Sequence, residues 1–282
     1  MLKINSPLVA TDWLAEHLAD EALIVLDASV PPVVPGYTSI NNEEHFQAIP
    51  GARRFDYDGV VCKPNSSLPH MMPAAGLFEE EVRKLGVNNE SVIVVYDDVG
   101  LYASPRAWWM FRAMGHEQVA VLNGGLPKWI DERRDVVASY AEVEKGNFNA
   151  REDDSLFCDF EVVLKSLYEP DCEILDARSA ARFRGEAPEP RPGVRGGHMP
   201  NAKSLPFPEV LNDGQLKSAE ELIDIFAGLA EKEQKVITSC GSGITACILT
   251  LAANVAGYEK LSVYDGSWAE WGAPSHLPVV TD

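Results

Sequence analysis

The chain has 282 residues, of which 46% are apolar and 24% charged, and its formal net charge is −19. This mix belongs to a folded globular protein rather than a disordered one, and the length suits one large domain or two ordinary ones. A surface this acidic repels phosphate backbones and anionic lipid, so neither nucleic acid nor a membrane is an expected partner, and a small anionic ligand would need a local basic pocket.

From the start, Met1 to Leu18 lacks the charged-then-apolar pattern of a signal peptide, and no apolar run along the chain is long enough to span a bilayer. Two short β-branched runs read as buried strands, Val236 to Ser239 further along the chain and, in this half, Val92 to Tyr96. The latter is followed by a predicted helix over Ser104–Met114 and by Leu122-Asn123-Gly124-Gly125, which ends at Trp129. A polar stretch over 141–159, including Lys145-Gly146-Asn147-Phe148-Asn149 and an acidic run at Glu152 to Asp154, reads as a linker.

Beyond it the pattern starts again. Leu23-Ile24-Val25-Leu26-Asp27-Ala28-Ser29 is echoed by Glu173-Ile174-Leu175-Asp176-Ala177-Arg178-Ser179, and Ile49-Pro50-Gly51-Ala52 by Met199-Pro200-Asn201-Ala202. Val92 to Asp97 is echoed by Lys235 to Cys240, and Leu122 to Gly125 by Tyr264-Asp265-Gly266-Ser267, ending at Trp271. Four matches in the same order imply a duplication whose unit is half the chain, far longer than a solenoid repeat, so each copy is a domain: 1–140 and 160–282. Strands alternating with helices, the last helix predicted over Ile244–Ala256, imply an α/β fold with a mostly parallel sheet covered by helices on both faces in each copy.

In such sheets ligands bind beyond the carboxyl ends of the strands. Cys240 falls at such an end, and its repeat mate is Asp97. The loop Cys240-Gly241-Ser242-Gly243-Ile244-Thr245 has two glycines that allow a tight turn with inward amides, and a helix start follows it. Both features favour negative charge on the sulfur and suit a nucleophile that holds a persulfide. The other cysteines, Cys62, Cys158, Cys172 and Cys247, have no activating surroundings. Five cysteines without CxxC spacing suggest neither a disulfide framework nor zinc, and fit a reducing cytoplasm. A phosphatase would carry an arginine six positions after the cysteine, where this chain has Ala246. No G-x-G-x-x-G or P-loop pattern occurs, and neither a cofactor nor a metal is expected.

The cysteine loop resembles that of the 3-mercaptopyruvate sulfurtransferases of the rhodanese superfamily. So do Thr11-Asp12-Trp13-Leu14, Arg182-Phe183-Arg184-Gly185, Pro188-Glu189-Pro190-Arg191, Gly197-His198-Met199-Pro200 and Asp265-Gly266-Ser267-Trp268. The related thiosulfate sulfurtransferases have basic residues just after the cysteine, where Gly241 and Ser242 stand here. The resemblance implies tandem rhodanese domains, the first catalytically silent but lending residues to the site. It implies transfer of sulfur from 3-mercaptopyruvate through Cys240 to cyanide, a small thiol or thioredoxin, with release of pyruvate.

It also implies that Arg182 and Arg191 bind the substrate. A guanidinium fits a carboxylate through two parallel hydrogen bonds and would supply the missing local positive field. Arg178, Arg184 and Arg195 lie near enough in sequence to exchange roles with them. Gly241, Gly243, Ile244 and Thr245 would line the substrate, and Ser242, His70 and Asp58 would form a proton relay, with Asp56 the alternative to Asp58. Two rival functions remain, a thiosulfate sulfurtransferase and a non-catalytic sulfur-relay module that keeps Cys240 without needing the arginines.

Overall fold

A computed structural model describes residues 2–42 and 44–281; the outermost ends of the expected domains, 1 and 282, lie outside them. The chain divides into two compact units. The first holds Met1–Pro64, Met72–Asp153 and Asp213–Leu216, and the second Asn65–Met71, Asp154–Asn212 and Lys217–Asp282.

In the first unit the elements run β1 (Leu8–Val9), α1 (Thr11–His17), β2 (Leu23–Asp27), β3 (Arg53–Arg54), α2 (Ala75–Lys84), β4 (Val92–Tyr96), α3 (Ser104–Ala113), β5 (Val119–Leu122) and α4 (Gly125–Asp131). The sheet order is β1-β5-β4-β2-β3, with every pair parallel. The central strands β2 and β4 are buried along their whole length, which explains why they read as continuous apolar runs rather than as alternation. The stretch after α4 is laid along this unit. Ala141, Gly146, Phe148, Arg151 and Asp153 donate their amides to carbonyls of Ala52, Arg83, Val87, Met114 and Ala113, and the Phe148 ring is buried among Phe78, Phe111 and His116.

The second unit repeats the arrangement. Its elements are β6 (Phe157–Cys158), α5 (Phe160–Ser166), β7 (Cys172–Asp176), α6 (Ala180–Phe183), β8 (Lys203–Ser204), β9 (Leu211–Asn212), α7 (Ala219–Ala227), β11 (Lys235–Ser239), α8 (Ala246–Val255), β12 (Leu261–Tyr264) and α9 (Ser267–Trp271). The short strand β10 (Gln215–Leu216) groups with the first unit. The sheet order β6-β12-β11-β7-β8 is the first sheet's order strand for strand, again all parallel. Helix α7 opens on a capping box between Ser218 and Glu221. Trp268, Trp271 and Tyr264 anchor the core beside β11, burying large apolar area where β12 hands over to α9. Strand β11 ends at Ser239, beside Asp176 at the end of β7, so Cys240 leaves the sheet at its carboxyl edge.

Candidate active site

The expected helix after Cys240 starts two residues later than the sequence suggests, at Ala246, because Gly241 to Thr245 are taken up by the loop itself. Gly243 has φ +81°, the left-handed conformation that closes the turn, and its amide donates to Sγ of Cys240 at 3.1 Å. The loop is pinned from behind by α9. Trp268 and Ala269 donate their amides to the carbonyls of Cys240 and Gly241, both at 2.9 Å, and Oγ of Ser267 accepts the Cys240 amide at 3.2 Å. Cys240, Ser242, Ile244 and Thr245 are buried. A sulfur held at this depth, with a backbone N–H aimed at it, is placed to carry charge shielded from bulk water.

The repeat mate explains what this loop shape is for. In the first unit Asp97 follows β4 as Cys240 follows β11, and the amide of Leu126 binds its carbonyl at 3.0 Å as Trp268 binds that of Cys240. The Asp97 carboxylate is fully buried. Oδ1 accepts from the amides of Val99 and Gly100, and Oδ2 from those of Tyr102, Ala103 and Ser104 and from the Ser104 hydroxyl, at 2.6 to 3.1 Å. A loop of this form is therefore an anion cradle. In the first unit the chain's own carboxylate fills it; in the second a cysteine stands at its mouth. Position 267 differs in the same sense. Its mate is Gly125 at φ +55°, where a Cβ would come 2.4 Å from the carbonyls of Asp97 and Gly100, whereas Ser267 tolerates φ +48° and uses its hydroxyl on the Cys240 amide.

Two guanidinium groups face the loop. A methyl group at Gly241 would stand 3.2 Å from Nη2 of Arg182 and 3.9 Å from Nη1 of Arg191. Of the arginines that could have exchanged roles with them, Arg195 is spent on the carbonyls of Trp271, Gly272 and Leu277. Arg184 pairs with Glu186 at the surface, and Arg178 is buried in an ion network. The sequence by itself assigns this network no role. Arg178 binds Asp176 through Nε and Nη2, the Gly197 carbonyl through Nη2 and Glu189 through Nη1, and stacks 4.0 Å over the Trp268 ring. Glu189 in turn binds Arg182. The signal was available: Asp176, Arg178 and Glu189 all sit in the quoted motifs, but sequence spacing does not reveal which charges meet.

The remaining expected residues are placed as follows. His70 belongs to the second unit, is buried, and holds φ +58°, an unusual conformation for a residue with a side chain. Asp58 belongs to the first unit and is exposed, with its amide on Asp56. The Asp56 carboxylate closes its own turn by accepting the amides of Asp58 and Gly59. His198, in the Gly-His-Met-Pro motif, stacks on Phe183 and bonds its carbonyl, a structural duty. Burial pushes the thiols of Cys158, up to about 11, and Cys172 above the ordinary range, and that of Cys62 is raised by burial and then by Asp56 and Asp58. The Cys247 thiol is buried and bonds the Gly243 carbonyl.

Against known families, the Rhodanese-like domain matches twice, over residues 10–132 and 160–274. The chain belongs to the rhodanese family. Its two rhodanese domains are 41% identical over 276 residues to the 3-mercaptopyruvate sulfurtransferase of Escherichia coli K12, covering 96% of each chain. The thiosulfate sulfurtransferase of Cricetulus griseus is 38% identical, over 94% of this chain and 91% of its own. Among solved structures, the rhodanese-fold sulfurtransferase SseA from Escherichia coli matches with a TM-score of 0.80 at 36% identity, over 94% of this chain and 99% of its own. Among the described residues, no helix of this rhodanese is long and apolar enough to cross a membrane.

Proposed function

We propose that this rhodanese takes sulfur from 3-mercaptopyruvate onto Cys240 and passes it, as a persulfide, to a thiophilic acceptor such as cyanide, a small thiol or thioredoxin. The observation that carries this reading is the convergence of the Cys240 sulfur, the Gly243 amide and the guanidinium groups of Arg182 and Arg191 on one buried loop. The relatives named for 3-mercaptopyruvate supply the donor class.

The donor is a short anion with a carboxylate and a neighbouring ketone. Arg182 and Arg191 hold these oxygens by paired hydrogen bonds and offset the repulsion of a chain carrying −19. The Cys240 thiolate then attacks the donor sulfur. The S–S bond forms, the C–S bond breaks, and its electron pair passes to carbon as the enolate of pyruvate, which takes up one proton. Ser242, His70 and Asp58 are the groups we assign to that proton's delivery, the exposed Asp58 rather than Asp56, whose carboxylate is turned into its own turn. In the second half-reaction the acceptor attacks the outer sulfur and Cys240 leaves as thiolate.

The outer sulfur of a persulfide is two bonds beyond Cβ, the same reach as the oxygens of Asp97. The carboxylate in the sister loop therefore supports loop amides as the persulfide's counter-charge. The group is carried by cysteine itself, so the scheme calls on no cofactor. A working thiol suits a reducing compartment such as the cytoplasm, to which we assign the protein.

Thiosulfate is the rival donor, favoured by the Cricetulus griseus relative. Gly241 and Ser242 place no positive charge beside Cys240 for its sulfonate oxygens, whereas the two arginines suit a carboxylate. Persulfide formation measured with each donor, together with pyruvate release from 3-mercaptopyruvate and sulfite release from thiosulfate, with Cys240→Ser as control, decides the matter. Preference for 3-mercaptopyruvate that vanishes in the variant is expected. Preference for thiosulfate overturns the donor, and turnover of neither points to a relay module loaded by a partner.

A further inference from the structure

We infer that Glu189, held by the buried Asp176–Arg178 pair, is the positioning residue that sets which edge of Arg182 the substrate carboxylate meets. The inference rests on the reading of Arg182 given above.

An arginine guanidinium has two edges that can grip a carboxylate with paired donors, and a long flexible stem that by itself selects neither of them. In this chain the choice is made by a chain of charges. Asp176 stands at the end of β7, beside Ser239 in the sheet and thus one residue from Cys240. Its carboxylate takes Nε and Nη2 of Arg178 at 2.6 to 3.1 Å, with both side chains fully buried. The remaining donors of Arg178 go to the Gly197 carbonyl and, at 2.8 Å, to Oε1 of Glu189, whose side chain is 4% exposed. The Trp268 ring closes the back of Arg178, and the amide of that same tryptophan holds the Cys240 carbonyl.

Glu189 therefore has no freedom of its own. Both of its oxygens accept from Nε of Arg182 at 3.2 Å, and Oε2 also takes Nη2. The Nε–Nη2 edge of Arg182 is thereby occupied, and Nη2 is brought over Gly241, 3.2 Å from where a Cβ would be. What remains for a ligand is the Nη1–Nη2 edge, facing the cysteine loop. The charges of Asp176, Arg178, Glu189 and Arg182 cancel, so the net positive charge offered to the donor comes from Arg191 while Arg182 supplies direction. A surface glutamate near an arginine contributes little; one buried between two arginines, the first anchored to Asp176 at the end of β7 and stacked on Trp268 of α9, fixes geometry.

The test compares Glu189→Gln, Arg182→Ala and the double variant, using two sulfur donors: 3-mercaptopyruvate and mercaptoacetone, which has a methyl group in place of the carboxylate. Glu189→Gln keeps the shape and loses the charge. It is expected to raise KM for 3-mercaptopyruvate about tenfold, the value of one well-oriented charge-assisted hydrogen bond, with a smaller change in kcat. It should leave mercaptoacetone kinetics unchanged and add nothing once Arg182 is alanine. Equal losses with both donors, or full additivity in the double variant, would mean that Glu189 serves only the fold and would overturn the inference. If Arg182→Ala itself leaves KM for 3-mercaptopyruvate unchanged, the reading of Arg182 fails, a result distinct from a functional Arg182 with an indifferent Glu189.

Discussion

Removing the Asp97 carboxylate should unfold the loop that follows β4 in the first rhodanese domain. Six donors converge on this one side chain, five of them from buried residues and one from the half-buried Val99. A buried donor left without a partner costs ~1–3 kcal/mol, so the five buried ones would cost ~5–15 kcal/mol if nothing replaced the carboxylate. Water or a small anion entering the emptied cradle recovers much of this, which leaves an expected net loss of ~4 kcal/mol for Asp97→Ala. In Asp97→Asn the amide nitrogen would face the two donors on the Oδ1 side or the four on the Oδ2 side. The less costly choice loses two bonds, ~2–6 kcal/mol. One term works the other way. The Asp98 carboxyl is raised by burial and, against the Ser39 hydrogen bond, by the Asp97 charge, so neutralising Asp97 relieves its neighbour. That relief is a single interaction against several lost hydrogen bonds and does not reverse the sign. Against a domain stability of ~5–15 kcal/mol the loss is large. Urea denaturation should show it, and hydrogen exchange at Tyr102, Ala103 and Ser104 should accelerate ahead of exchange in β4. Sulfate should raise the melting temperature of Asp97→Ala more than that of the parent, because the emptied cradle binds it. An Asp97→Asn variant that loses less than ~1 kcal/mol and keeps those amides protected would refute the cradle and, with it, the argument that the same loop shape in the second domain holds a persulfide.

Two further expectations follow from the second domain. Gly241→Ala puts a methyl group 3.2 Å from Nη2 of Arg182, tight enough to displace the guanidinium. KM for 3-mercaptopyruvate should rise severalfold while thermal stability changes little, because the residue's backbone is not in the left-handed region and Cβ meets only the ends of two arginine side chains rather than backbone. The Cys158 thiol, raised from an ordinary value of 9.0 to about 11 by burial, is protonated at neutral pH. Its thiolate fraction at pH 7 is ~10⁻⁴, so iodoacetamide labelling followed by mass spectrometry should leave it unmodified there and label it increasingly as pH approaches 11. The accompanying sign for stability is that burial of the neutral thiol helps folding fully below pH 9 and that this help is lost as pH rises through about 11.

Much of this protein is legible in its sequence because the features concerned are local or periodic. Continuous apolar runs of five residues mark buried parallel strands, and Val92–Tyr96 is found as read. Four echoes in the same order reveal two copies with one topology, and the glycines of 241 and 243 mark a tight loop after a strand. The family follows from those motifs and is shown by the match to both halves. The helix after Cys240 starts later than the periodicity predicts, because apolar spacing does not distinguish Ile244 packed in a loop from Ile244 in a first helical turn; only the backbone of Gly243 decides it. Which arginines face the loop is likewise a tertiary matter. Five lie within 18 residues of one another, and their charges are identical in sequence. Arg195 is drawn off by three carbonyls of the C-terminal turn and Arg178 by Asp176, and the partner that orients Arg182 is an acidic residue seven positions away. Charge pairing of that kind depends on where strand ends and helix starts bring side chains together. Sequence supplies the set of charges, and only the folded chain selects the pairs.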